Sequence, residues 1–301
     1  MKKLLALLLA LAMLTCLAAC GEEPAKKDDT TTTTTTTGGT TTTTTKPQEE
    51  EFVFEEVTLL DDENCVIRIT AIDEDNMWGY TLKAYFENKS DTDYMFSVDS
   101  ATINGVAAEP LFAVDVAAGK KAKEDITFMD PFPKGVDVGE FTDIALTFSV
   151  SDPEDWEADA VANVTAHVYP LGEDKATTYV REAQETDQVL VDNELFTMIA
   201  MNSEEDDMWG YTTNVYFVSK TDKDLLLSID EASVNEYMAE PFFAATLPAG
   251  GCAFGAIAWL GESLEDSGFD TVESIEFTLS AADNNDWLAD PLAEESVTFT
   301  P

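Results

Sequence analysis

The tetrapeptide Met77-Trp78-Gly79-Tyr80 returns as Met208-Trp209-Gly210-Tyr211. The same offset of 131 residues holds without a gap from Leu60/Val191 through Glu109-Pro110/Glu240-Pro241 to Pro170/Pro301. Self-similarity on this scale means one folding unit written twice, each copy long enough to bury a core of its own. It also bears on chemistry: a complete active site is rarely duplicated inside one chain, whereas a scaffold or a binding module often is.

Within a copy the apolar residues recur with period two. Trp78, Tyr80, Leu82, Ala84 and Phe86 alternate with Gly79, Thr81, Lys83, Tyr85 and Glu87, and Ile144, Leu146, Phe148 and Val150 alternate with Ala145, Thr147 and Ser149. The second copy repeats the apolar set as Trp209, Tyr211, Val215 and Phe217, then Ile275, Phe277, Leu279 and Ala281. Successive side chains of a strand point to opposite faces, so these are half-buried strands, with Trp78 and Trp209 expected in the core. Turn signals at Asn88-Lys89-Ser90-Asp91, Asn104-Gly105, Ala118-Gly119 and from Pro131 to Gly139 divide the first copy. They leave strands near 64–73, 79–88, 94–103, 106–117, 122–129, 143–151 and 161–169, with a leading strand at 52–60. No segment carries the period of an amphipathic helix. The expected fold class is all-β: two tandem immunoglobulin-like antiparallel β-sandwich domains over 52–170 and 183–301, joined by a linker over 171–182. Part of the linker could pair as the second domain's first strand. The Cys…Trp…Cys pattern of antibody domains is absent, and Glu236 stands where the first copy has Gly105, which disfavours a tight turn there.

Two segments of a different kind precede the repeats. Lys2-Lys3, the apolar run from Leu4 to Leu17 and the small residues after it read as a signal peptide over 1–19. About 14 apolar residues are too few for a bilayer core of about 30 Å, which takes about 20. Leu17-Ala18-Ala19-Cys20 resembles the lipobox of bacterial lipoproteins. That resemblance implies that Cys20 becomes the lipidated first residue, its palmitate-type chains anchoring the protein at the extracellular face of the cell membrane. Several acyl chains hold firmly where one holds only marginally. Residues 20–51, with Thr30 to Thr37, Gly38-Gly39 and Thr40 to Thr45, have no apolar period, so a disordered stalk is expected, spanning about 30 Å on average.

Sixteen basic residues stand against 60 acidic ones, a formal net charge of −44. Nucleic acid and anionic headgroups are repelled by such a surface. Cys65 and Cys252 align with Phe196 and Lys121, so neither copy can close a bridge of its own. His167 is the only histidine and aligns with Thr298, which leaves no histidine triad or zinc cluster to assemble. Neither a Gly-rich phosphate loop nor a Gly-x-Ser-x-Gly elbow is present. The chain reads as a non-enzyme with no cofactor beyond a possible Ca²⁺.

Three acidic loops occur in both copies: Asp73-Glu74-Asp75-Asn76 with Glu204-Glu205-Asp206-Asp207; Asp152-Pro153-Glu154-Asp155-Trp156 with Asp283-Asn284-Asn285-Asp286-Trp287; and Asp91 and Asp93 with Asp222 and Asp224. If the strands alternate in direction, the second and third loops share one end of the sandwich and the first lies at the other. Clusters of hard oxygens suit Ca²⁺, which takes six to eight ligands, so Asp73, Asp75, Asp206, Asp152, Asp155, Asp283 and Asp286 are candidates, without EF-hand spacing. Lys120, Lys121 and Lys123 are expected to neutralise the first copy's acids, where the second has Gly251, Cys252 and Phe254. Tyr85 and Tyr216 point away from the core face, and Trp156 and Trp287 sit in or beside loops. These four are candidates for stacking on a sugar, the two tryptophans serving otherwise to plug the sandwich ends.

Trp78-Gly79-Tyr80 through Asn88-Lys89-Ser90-Asp91, then Ser97-Val98-Asp99 and Ile103-Asn104-Gly105, is similar to the telokin-like, immunoglobulin-type domains of unknown function found on lipoproteins of Gram-positive gut bacteria. The resemblance covers most of each copy, implies an extracellular β-sandwich and carries no activity. The expected protein is a cell-surface lipoprotein with non-catalytic binding or adhesion modules for an extracellular protein or glycan. The alternatives are a structural spacer or accessory subunit of an envelope complex, and Ca²⁺-dependent carbohydrate binding. Function is to be sought where the copies differ, at Gly105/Glu236, His167/Thr298 and Lys120-Lys121/Gly251-Cys252.

Overall fold

A computed structural model describes residues 52–155, 158–206, 210–260, 264, 271–286 and 289–301. The signal peptide, Cys20 and the stalk lie outside these residues. The first copy forms β1 (Val57–Asp61), β2 (Cys65–Asp73), β3 (Tyr80–Asn88), β4 (Tyr94–Ile103), β5 (Val106–Ala107), β6 (Ala113–Val116), β7 (Lys121–Phe128), β8 (Ile144–Ser151) and β9 (Ala162–Val168). The second forms β10 (Gln188–Asp192), β11 (Phe196–Asp206), β12 (Gly210–Ser219), β13 (Leu225–Val234), β14 (Tyr237–Met238), β15 (Ala244–Leu247), β16 (Cys252–Trp259), β17 (Ile275–Asp283) and β18 (Ala293–Phe299). The protein is all-β, built of antiparallel sheets in a sandwich-like arrangement.

Period-two patterning becomes two layers in each copy. In the first, β1-β2-β3-β7 pair in that order, while β4 carries β8 and β9 on one side and β5 and β6 on the other. Leu82, Phe86 and Ile126 of one layer meet Phe96, Leu146 and Phe148 of the other. The Phe86 ring lies 5.2 Å from Phe96 and 6.2 Å from Phe148. Each such buried side chain contributes roughly 1.5–3 kcal/mol relative to exposure. The second copy packs Phe196, Phe217, Leu227, Leu279 and Trp259, whose indole donates to the Ala239 carbonyl at 2.9 Å. Even irregularities repeat: bulges at Thr58/Leu60 and Ile69/Ala71 return at Val189/Val191 and Ala200/Asn202.

Three expectations change. The single strand at 106–117 is broken between β5 and β6 around Pro110, which has no N–H to give, although the chain stays on the β4 edge through Ala108 N–H to Ala101 and Val98 N–H to Phe112. The turn expected to suffer at Glu236 persists: Asn235 and Glu236 take φ of 50° and 70°, as Asn104 and Gly105 take 53° and 80°. Asn235 Oδ1 accepts the Glu273 and Ser274 N–H groups at 2.7 and 3.0 Å, as Asn104 Oδ1 accepts those of Thr142 and Asp143, and these bonds offset a left-handed cost of about 1–2 kcal/mol. Trp78, expected in the core, is 64% exposed. Gly79, at φ 123°, approaches Phe128 so closely that a Cβ would lie 2.2 Å from its carbonyl oxygen, and the strand's alternation begins only at Tyr80. Trp209 lies outside the described residues.

The copies are welded rather than strung on a loose linker. The inner layers join as one sheet in the order β10-β11-β12-β16-β5-β4-β8-β9, closed by Cys252 N–H donating to the Gly105 carbonyl at 2.9 Å. Gly251 permits this approach, since a Cβ there would stand 2.6 Å from that carbonyl oxygen. The linker is a pinned strap. Tyr179 N–H donates to Asn104 O at 2.8 Å, Thr177 N–H to Thr142 Oγ1 at 3.0 Å, and Arg181 forks onto both oxygens of Asp187 at 2.7 Å while lying 5.5 Å over the Tyr216 ring. The described residues of both copies belong to one compact unit.

This junction accounts for much of the divergence between the copies. Ile199, Met201, Tyr216, Val218, Cys252 and Phe254, on the outer face of the second copy's sheet, pack against the first core. Their first-copy counterparts are Arg68, Thr70, Tyr85, Glu87, Lys121 and Lys123, among which Arg68 pairs with Glu56 and Lys121 with Glu87.

Candidate functional site

Where the first copy's outer sheet face meets the second copy's end loops, they enclose a cleft of about 570 Å³. Its floor comes from β4, β8 and β9, whose outward positions hold Ser100, Thr102, Thr147, Thr165 and His167. Strict alternation puts these polar residues on one face because Leu146, Phe148 and Val168 occupy the other. Thr147 and Thr165 share a hydroxyl hydrogen bond at 2.9 Å across the β8–β9 pair. His167 Nδ1 lies 2.7 Å from Asp143 Oδ1, and its ring stacks on Tyr169 at 5.7 Å.

The opposite wall is the turn between β12 and β13, the turn before β16 and the end of β17. Lys223 Nζ meets Asp283 at 2.6 Å; the hydrogen bond raises the lysine's pKa and holds the Asp283 carboxyl below the usual carboxylate range. Asp224 Oδ1 accepts the Ala249 N–H at 2.8 Å and fixes one turn against the other. The cleft thus offers hydroxyls, an imidazole and the Asp222 carboxylate, which together match a ligand rich in hydroxyl groups. The imidazole is bonded to Asp143 and the two threonine hydroxyls to one another.

The sequence candidates are placed as follows. Asp73 accepts from Asn76 Nδ2 at 3.2 Å and pairs with Lys83 at 3.4 Å; Asp75 is exposed beside it. Asp152 caps the Glu154 N–H at 2.8 Å, with Asp155 exposed, and Asp286 closes a turn on the Asp283 carbonyl. The Asp206 side chain, Trp156, Trp287 and Cys20 lie outside the described residues. Among those described, no three acidic, histidine or cysteine side chains converge closely enough to hold a metal ion. A cation at Asp283 would have to displace Lys223. Lys83 pairs with Asp73 and Lys223 with Asp283, while Lys121, expected beside the first copy's other acidic loops, pairs with Glu87. Tyr85 lies half-buried, its hydroxyl donating to Glu87 at 2.7 Å, under Arg68 and Lys121. Tyr216, expected on an open surface, is corrected to 6% exposed: the junction covers it. The threonine-rich floor was missed in the sequence, although the outward positions of β8 and β9 already carried it.

No family model matches the chain, and no curated protein matches it. Among solved structures it is similar to a protein of unknown function from Porphyromonas gingivalis W83, at 14% identity over 74% of this chain and 91% of that one, with a TM-score of 0.19. A likeness at that level carries no functional argument.

Proposed function

We propose that this protein is a cell-surface lipoprotein whose two immunoglobulin-like sandwiches act as a non-catalytic binding module for a hydroxyl-rich ligand, a saccharide, held in the cleft between the repeats. The observation that carries the reading is that each cleft wall belongs to a different repeat and that the strap and the continuous sheet fix the walls in place. A preformed site loses less ordering entropy on binding. On the sequence reading, lipidated Cys20 and the threonine stalk hold this cleft away from the membrane surface.

The test is a glycan array with the whole chain, followed by titration calorimetry on the strongest sugar. Thr165→Val combined with His167→Ala should remove binding while leaving the melting temperature within a few degrees. A silent array, or variants that bind like the parent, rejects the cleft. The second reading, a spacer or accessory subunit of an envelope complex, draws on the same weld, because a strapped pair of repeats is a stiff strut. It takes over if no sugar binds. The anchor is tested separately by the mass of the mature N-terminus, which should be an acylated Cys20.

A further inference from the structure

The fold explains only half of Met77-Trp78-Gly79-Tyr80. Gly79 is required by its φ of 123° and its contact with Phe128, and Tyr80 packs on Phe141 at 4.7 Å. Met77 and Trp78 are 84% and 64% exposed, yet both residues recur as Met208 and Trp209. Their display is built in. Asn76 Oδ1 accepts the Trp78 N–H at 3.0 Å, Asn76 O accepts the Gly79 N–H at 3.0 Å, and the Asn76 amide is tied to Asp73. Met129, 63% exposed, follows the Phe128 carbonyl that abuts Gly79, adding a third apolar side chain at this end.

The surrounding charge selects the occupant. Lys83 is taken up by Asp73 and by Asp125, the latter at 2.7 Å, so Glu74, Asp75 and Asp130 have no ion-pair partner among the described residues. We propose that the Met77-Trp78 loop docks a cationic polypeptide segment that also bears apolar side chains. A tryptophan face attracts a Lys or Arg head, methionines adapt to varied apolar surfaces, and the free carboxylates complete the match. Anionic headgroups are repelled here, and a neutral sugar would gain nothing from the net charge of the three exposed carboxylates. The inference rests on the reading of the protein as a binding module but uses a surface separate from the cleft. The same Met-Trp pair follows a run of acids in the second copy's sequence, which is why the variants below change both copies.

The test uses the whole chain and a Lys/Leu amphipathic peptide, followed by calorimetry. Trp78→Ala with Trp209→Ala should weaken binding at least ~10-fold, about 1.4 kcal/mol. Glu74→Gln with Asp75→Asn should also weaken it, and added salt should do the same to the parent. Met77→Ser with Met208→Ser gives a second readout should the tryptophan variant melt early. Unchanged affinity in both apolar variants, binding insensitive to salt, or binding of a neutral polysaccharide through Trp78 in place of the peptide overturns the inference. Thr165→Val with His167→Ala should leave peptide binding intact, and a parent chain that binds the cleft's sugar but not the peptide rejects this proposal alone.

Discussion

Replacing Arg181 by alanine tests the strap. The guanidinium makes two hydrogen bonds of 2.7 Å to Asp187, the two side chains are only 12% and 9% exposed, and the cation lies over Tyr216. In Arg181→Ala the Asp187 carboxylate keeps one backbone donor, the Gln184 N–H at 2.8 Å, and loses its counter-charge. Removing one partner of a well-buried pair costs about 3–5 kcal/mol, and the edge of this one reaches solvent, which argues for roughly 3. For a unit of about 250 residues that is a fall in melting temperature of about 6–12 °C. Scanning calorimetry of the whole chain at neutral pH reads it, with Asp187→Ala and the double variant completing a cycle. The double variant should lose less than the sum of the singles, by about 1.5–3 kcal/mol. Because the strap joins the repeats, the single transition should also broaden or divide in Arg181→Ala. A fall below about 2 °C, or additive singles, refutes the argument.

Three further outcomes follow from the same geometry. The gap in melting temperature between the parent and Arg181→Ala should depend on pH: the hydrogen bond from Arg181 holds Asp187 below its ordinary 3.8, so this stability is present above 3.8 and lost as pH falls through the lowered value. A gap that widens on acidification to pH 3 contradicts that sign. Gly251→Ala forces a Cβ against the Gly105 carbonyl, and parting Cys252 from Gly105 should cost about 1–3 kcal/mol and speed proteolysis within 171–187, whereas an unchanged digestion rate counts against the weld. Glu236→Gly, restoring the first copy's residue at φ 70°, should raise stability by about 1 kcal/mol in urea unfolding, and a loss would mean that the glutamate side chain stabilises the turn.

The strands were legible because period two is a local signal, and the repeat allowed each strand to be read twice. Trp78 was misplaced because alternation does not announce where a strand begins; only the backbone contact of Gly79 with Phe128 does. Tyr216 was misread for a different reason. β11 and β12 carry Ile199, Met201, Tyr216 and Val218 on the face where the first copy has Arg68, Thr70, Tyr85 and Glu87. Apolar residues on both faces of a strand signal a sheet buried on both sides. The cleft was out of reach, since its walls lie in different copies whose strands pair across the junction only at Cys252 and Val106. The lysine partners of the acids were equally hidden, because Lys83 and Lys223 reach their carboxylates across strands or turns rather than along the sequence.

The junction also gives the pair of repeats a direction. One side supplies a carbonyl at Gly105 and the other a residue without a side chain at Gly251. At the free ends the corresponding positions are Glu236 and Lys120. A further repeat placed after the second would meet a glutamate where the existing joint has glycine, and one placed before the first would meet a lysine whose Cβ has no room in that joint. The outward face of β2, β3 and β7, with Arg68, Glu87 and Lys123, likewise carries charge where the existing joint is apolar. Rebuilding the same joint at Lys120 or Glu236 would require several coordinated substitutions, so the contact between these two repeats is specific to the pair.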